Sequence, residues 1–237
     1  MAGDYTRQIP RRGFALAMAA TILMMAAASA PSLFYPQIAE QLGLVPVATT
    51  LVFAVYTFTL LAALLYLGPL SDHVGRRPVV AAGSLALALS VAMFWFAGSL
   101  AALLVARALQ GLAAGLLIPA LSAMMIDFES PSHRNIAALW NTIGPMIGLG
   151  AGALGAALLL DLTSEPTTAV FGSLVLAFLI VATVVWSTPE LAPKTRIRRG
   201  DLRPRFTVPP HLRRMFTAGV PVIIAGWATN GPVSYTH

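Results

Sequence analysis

Gly68-Pro69-Leu70-Ser71-Asp72-His73-Val74-Gly75-Arg76-Arg77-Pro78 is a short polar hairpin set between two long apolar runs, Val47–Leu67 and Val79–Ala97. Gly68 and Pro69 end a helix, Gly75 permits a tight turn, and Pro78 suits the first turn of the helix that follows. Asp72 and Arg76 stand close enough to pair. A run of about 20 apolar residues has the length that crosses a bilayer as a helix. The stretch therefore predicts two antiparallel membrane spans with the hairpin at one membrane face.

Further apolar runs flank these two, giving six expected spans: Phe14–Phe34, Val47–Leu67, Val79–Ala97, Leu100–Ile126, Ile136–Leu160 and Thr168–Ser187. A seventh run begins near Met215. Residues 1–187 are thus expected to be a six-helix bundle, 188–214 a basic linker, and 215–237 an incomplete seventh helix. The runs do not alternate apolar with polar residues, as the strands of a lipid-facing barrel do. Of the 237 residues, 57% are hydrophobic and 10% charged, and the mean hydropathy is +0.78. Soluble domains are about 45–50% apolar and about 25% charged. A soluble fold could not hide this much apolar surface; a bilayer removes the need to.

The first run has a rival reading. Arg11-Arg12 ahead of an apolar stretch that ends at Ala28-Ser29-Ala30 is the pattern of a cleaved signal peptide, with a trace of a twin-arginine signal. The length of the run, Pro31 just past the cut and the five spans that follow favour a retained helix.

With the N-terminus inside, the inner segments hold Arg7, Arg11, Arg12, Arg76, Arg77, Arg134 and the eight basic residues between Lys194 and Arg214. These are fourteen of the fifteen basic residues, and the three outer loops hold none. Enrichment of Lys and Arg in the cytoplasmic loops orients membrane proteins. The expectation is a multi-pass protein with a cytoplasmic N-terminus. The net charge of +6 does not point to nucleic acid, because the basic linker lies where anionic lipid headgroups attract it.

The fifteenth basic residue, Arg107, is the single Asp, Glu, Lys, Arg or His inside the six spans. A charge at that depth costs at least about 2.5–3.5 kcal/mol. Its default reading is functional, facing the bundle interior; the alternative is an arginine that snorkels to the outer headgroups. Gln110 lies one turn on, on the same face. In the fifth span Gly144, Gly148, Gly152 and Ala156 recur every four residues behind Pro145, a stripe that admits another helix closely. Tyr56, Trp140 and Asn141 are weaker cavity candidates, since such residues more often pack or anchor at the interface. There is no Cys, and the four His are scattered, so no metal site or other cofactor is expected. No nucleophile-and-base pair and no phosphate-binding loop supports an enzyme.

Three of these strings resemble signatures of the major facilitator superfamily. The hairpin is similar to Gly-x-Leu-x-Asp-Arg-x-Gly-Arg-Arg, with His73 where the family usually has Arg. The resemblance implies a cytoplasmic gate of Gly68, Asp72, Gly75, Arg76 and Arg77, joined by Asp127 from the inner end of the fourth span. Arg107 to Gly111 is similar to the Arg-x-x-Gln-Gly of proton-coupled members, which implies a place in the substrate cavity or in coupling for Arg107 and Gln110. Gly144-Pro145 with Gly148 and Gly152 looks like the antiporter motif, whose stripe packs in the family against a helix of the second half. Here Leu149 separates Gly148 from Gly150, where the family has adjacent glycines.

The implied fold is an all-α bundle of two inverted three-helix repeats, half of a twelve-helix transporter, with spans 1 and 4 lining the cavity. The implied function is secondary transport of small molecules by alternating access, as an exporter of drugs or metabolites in a bacterial plasma (inner) membrane. The alternatives are a non-transporting sensor or assembly subunit on the same scaffold and a metabolite uptake carrier. The implied partners are a small-molecule substrate, the bilayer and a second six-helix half, so the chain is expected to be a truncated or fragmentary one. Proton coupling needs a titrating group, and the six spans hold no Asp, Glu or His. A guanidinium stays protonated, so the proton site is expected in the second half, or transport is not proton-coupled.

Overall fold

The computed structural model describes residues 2–130 and 135–191, all within one compact unit. Arg134, the basic stretch from Lys194 to Arg214 and the run from Met215 lie outside the described residues. The elements are α1 (Ala2–Ser29), a 3-10 turn (Ala30–Phe34), α2 (Tyr35–Gln41), α3 (Pro46–Leu67), α4 (Leu70–Val74), α5 (Arg76–Trp95), α6 (Leu100–Asp127), α7 (Ile136–Leu162), α8 (Pro166–Val184) and a closing 3-10 turn (Val185–Ser187). Among the described residues there is no strand. Among the described residues six helical stretches are long and apolar enough to cross a membrane, and α3, α5, α6, α7 and α8 supply the second to the sixth.

The first crossing differs from expectation. It runs from Arg12 to Gln41, through the 3-10 turn and α2. The loop expected over Tyr35–Pro46 shrinks to Leu42–Val45. Pro31 and Pro36 each sit in the first turn of a new helical segment, where a missing N–H leaves nothing unpaired. They restart the helix instead of ending it, and so bring Tyr35 into the bundle, 7% exposed.

In the bundle α3 lies on α6, α5 lies between α6 and α8, and α1 packs on α7 while also touching α6. Exchanging span 1 with 4, 2 with 5 and 3 with 6 turns the α3–α6 pair into the α7–α1 pair. That is the arrangement of two inverted three-helix repeats. Both pairs are built on bare glycine. A Cβ on Gly111 or Gly115 would strike the α3 backbone at Leu60, 2.9 Å away. One on Gly148 would lie 2.5 Å from the carbonyl oxygen of Ile22, and one on Gly152 would lie 2.6 Å from Cα of Ala26. Such contact gains dispersion energy where lipid offers no hydrophobic drive between helices.

This corrects one expectation. The stripe of Gly144, Gly148, Gly152 and Ala156 is buried within this bundle, with Gly148 and Gly152 covered by α1. It is not a face left for a second half. Ser29 Oγ crosses the same contact to donate to the carbonyl of Leu149 at 2.9 Å. The neighbouring Gly150 and Gly155 point into open space.

Candidate functional site

Two polar clusters stand at different depths. The first gathers at the end of the bundle where α3 passes through α4 into α5. Arg76 Nε donates to Asp127 Oδ2 at 3.1 Å, and its Nη1 donates to Ser71 Oγ at 2.7 Å and to Asp72 Oδ1. Asp72, Arg76 and Asp127 are therefore one ion-paired group, carried by α4, α5 and the last turn of α6. Asp72 is 60% exposed and Asp127 28%, so the Asp127 pair is the better shielded from solvent. His73 turns back on its own helix, its Nδ1 donating to the Pro69 carbonyl at 3.0 Å.

Arg77 leaves this group. Its guanidinium lies over the Trp186 ring, 5.2 Å from the centroid, and donates to the Trp186 carbonyl. The backbone N–H groups of Arg76 and Arg77 donate to Glu190 at 3.0 and 2.9 Å. A carboxylate thus takes two of the free N–H groups at the start of α5, where the helix dipole also favours negative charge. Trp186 and Glu190 were missed by the sequence reading. The one signal was an acidic residue just past the sixth span.

The second cluster surrounds Arg107, which is 2% exposed and does not snorkel. Its Nε donates to the Tyr35 hydroxyl at 2.6 Å, and its Nη1 donates to Gln110 Oε1 at 2.6 Å. Gln110 Nε2 in turn donates to the Ala27 carbonyl at 3.0 Å, tying α6 to α1. Four rings close around the guanidinium carbon: Phe94 at 4.8 Å, Tyr35 at 5.2 Å, Phe53 at 5.4 Å and Tyr56 at 5.7 Å from their centroids. Ring faces attract a cation, more strongly when it is desolvated. Nη2 is buried and has no hydrogen-bond partner.

Of the weaker candidates, Tyr56 joins this box. Asn141 is half-buried on α7, and the box draws its partners from α1, α2, α3, α5 and α6. Tyr35, Phe53 and Phe94 were not singled out from the sequence, because an aromatic residue in an apolar run carries no sign that it faces a charge. Among the described residues no group of His, Asp and Glu is arranged to hold a metal.

The chain matches the Major Facilitator Superfamily over residues 17–236. Curated relatives include the multidrug resistance protein MdtL of Shewanella oneidensis, 32% identical over 48% of this chain and 31% of that protein. The multidrug efflux pump LfrA of Mycolicibacterium smegmatis is 34% identical over 60% of this chain and 31% of its own length. The puromycin resistance protein pur8 of Streptomyces alboniger is 31% identical over 61% of this chain and 30% of its own. The matched stretches span about a third of the length of these relatives. A crystal structure of the peptide transporter POT superposes with a TM-score of 0.56 at 18% identity, over 96% of this chain and 47% of that one, which is likeness of fold. The family match over most of the chain, borne by six membrane-crossing helices in two inverted repeats, decides the assignment: this chain belongs to the Major Facilitator Superfamily of membrane transporters.

Proposed function

We propose that the chain is one half of a secondary exporter of drugs or metabolites that works by alternating access with a second six-helix half. The observation that carries the export reading is the set of relatives named for drug resistance or efflux, at 31–34% identity. In this reading the N-terminus is cytoplasmic in a bacterial plasma membrane, and the Asp72–Arg76–Asp127 group is the cytoplasmic gate. The ion pairs of that gate bias two conformations, where a difference of about 1.4 kcal/mol shifts an equilibrium tenfold. Arg107 and Gln110 belong to the substrate cavity. Arg107 is a fixed positive charge there, because its guanidinium keeps its proton. It acts on an anionic group of the substrate or on a carboxylate of the second half.

The experiment is accumulation of a panel of labelled antibiotics, puromycin among them, in bacteria expressing the chain joined to a second six-helix half. Lowered accumulation that returns on dissipating the ion gradients is the expected result. Unchanged accumulation of the whole panel, with the protein verified in the membrane, overturns the export reading. Flux by the 237-residue chain alone, above empty liposomes, overturns the need for a second half.

A further inference from the structure

The four rings around Arg107 are not equivalent. Tyr35 and Phe94 are 7% and 3% exposed and form the inner wall of the box. Phe53 is 38% exposed and Tyr56 half-buried, and both come from α3. Arg107 is 2% exposed beneath them. Phe53 and Tyr56 are thus the layer between the guanidinium and the outer face of α3, the helix that buries least of its surface.

The seat of α3 is unusual in the same place. It lies on the bare backbone of α6 at Gly111 and Gly115. The hydroxyl of Thr59, its nearest polar group there, bonds within α3 to the carbonyls of Val55 and Tyr56. Thr59 and Ala63 fill the places of the missing Cβ atoms of Gly111 and Gly115, so α3 is held close to α6 and access to Arg107 falls to the two rings themselves. Beneath the two rings, the buried Nη2 of Arg107 has donors and no acceptor. In a site of low dielectric that edge prefers a group of opposite charge with acceptors and no donors, such as a carboxylate. A cation is repelled.

We propose that Phe53 and Tyr56 are an aromatic shutter over an anion site anchored by Nη2 of Arg107, and that the site takes a carboxylate when the two rings swing aside. This rests on the reading of Arg107 as a fixed positive charge in the cavity, and it adds what controls access to that charge and which chemistry gains it. The carboxylate arrives on a transported molecule or on a side chain of the second half.

Modification of the purified 237-residue chain by phenylglyoxal, followed peptide by peptide by mass spectrometry, tests the proposal, with the exposed Arg12 as internal reference. In the unaltered chain Arg107 should react far more slowly than Arg12. Phe53→Ala, and independently Tyr56→Ala, should speed Arg107 about tenfold and leave Arg12 unchanged, since the rate follows the fraction of open sites. Sodium benzoate should then slow Arg107 in the alanine variants, and benzyl alcohol should not. Arg107 reacting as slowly in both variants as in the unaltered chain, with helix content retained by circular dichroism, overturns the shutter. Faster reaction without protection by benzoate overturns the anion site, and with it the charge reading of Arg107, while leaving the shutter. Protection of Arg107 in an alanine variant without benzoate, seen when a second six-helix half is joined on, overturns the small-molecule source.

Discussion

A Cβ on Gly75 would lie 2.6 Å from Oε2 of Glu190. Gly75 also has φ of +109°, a backbone region that side chains disfavour. The position is thus strained for other residues by its own backbone, and a Cβ there would also push aside a carboxylate 115 residues further along the chain. Gly75→Ala should lower the melting midpoint of the purified chain, followed by circular dichroism, more than Glu190→Ala does. In a Glu190→Ala background the clash is gone and about 1–3 kcal/mol of backbone strain remains. The two costs should therefore not add; strict additivity would mean that Glu190 does not constrain Gly75.

The two carboxylates on Arg76 should weigh differently. Asp72 is 60% exposed, and such pairs contribute about 0–1 kcal/mol. Asp127 is 28% exposed, so Asp127→Asn should cost more stability than Asp72→Asn in thermal unfolding. In a two-half protein Asp72→Asn should nonetheless reduce transport more than it reduces expression. Transport at the parent rate by Asp72→Asn would remove the gate reading.

The glycines of α7 should divide by face. Gly148→Ala and Gly152→Ala press a methyl into α1, and overpacking of this kind costs about 1–3 kcal/mol. Gly150→Ala and Gly155→Ala meet open space and should be neutral or stabilising by about 0.5–1 kcal/mol through helix propensity. A thermal melt of the four variants checks it; equal losses would mean the stripe does not seat α1.

Orientation can be read by labelling single cysteines from outside intact cells, because the chain has no Cys of its own. Glu40→Cys and Glu165→Cys should react, and Arg199→Cys should not. The motive is the clustering of basic residues in one set of loops. Labelling at 199 but not at 165 reverses the orientation.

Coupling should not depend on the carboxylates of this half. Glu40, Asp127 and Asp161 lie at the ends of their crossing helices, and no Asp, Glu or His lies between. Proton release on adding substrate to a detergent-solubilised two-half protein should survive neutralisation of each first-half carboxylate. Loss of release on neutralising one of them, with substrate binding kept, would place the proton site in this half.

Much of the polar end was legible from local chemistry. The Gly-Pro stop, the tight turn and the Asp72–Arg76 spacing are near-neighbour features, and α4 and α5 follow from them. Asp127 entered only through family resemblance, and Glu190 not at all. The first crossing was read too short, ending at Phe34, whereas Pro36 occupies the first turn of a further helical segment that carries the crossing to Gln41. The glycine stripe was visible as a stripe, but its partner was not, since a small-residue face is complementary to any helix that can approach it.

By itself the sequence determined the six crossing stretches of the described residues, because crossing depends on the length of each apolar run and on nothing distant. It also determined that Arg107 stands apart, because one charge in a bundle of apolar spans is conspicuous without any structure. Only the tertiary structure decided what Arg107 touches. Tyr35 is 72 residues away in sequence, and Phe53, Tyr56 and Phe94 come from two other helices. The physical reason is that a membrane helix is apolar on every side. It lacks the amphipathic stripe that tells a soluble helix which face turns inward, so rotation and neighbour are set by small-residue contacts and by the need to surround a single buried charge.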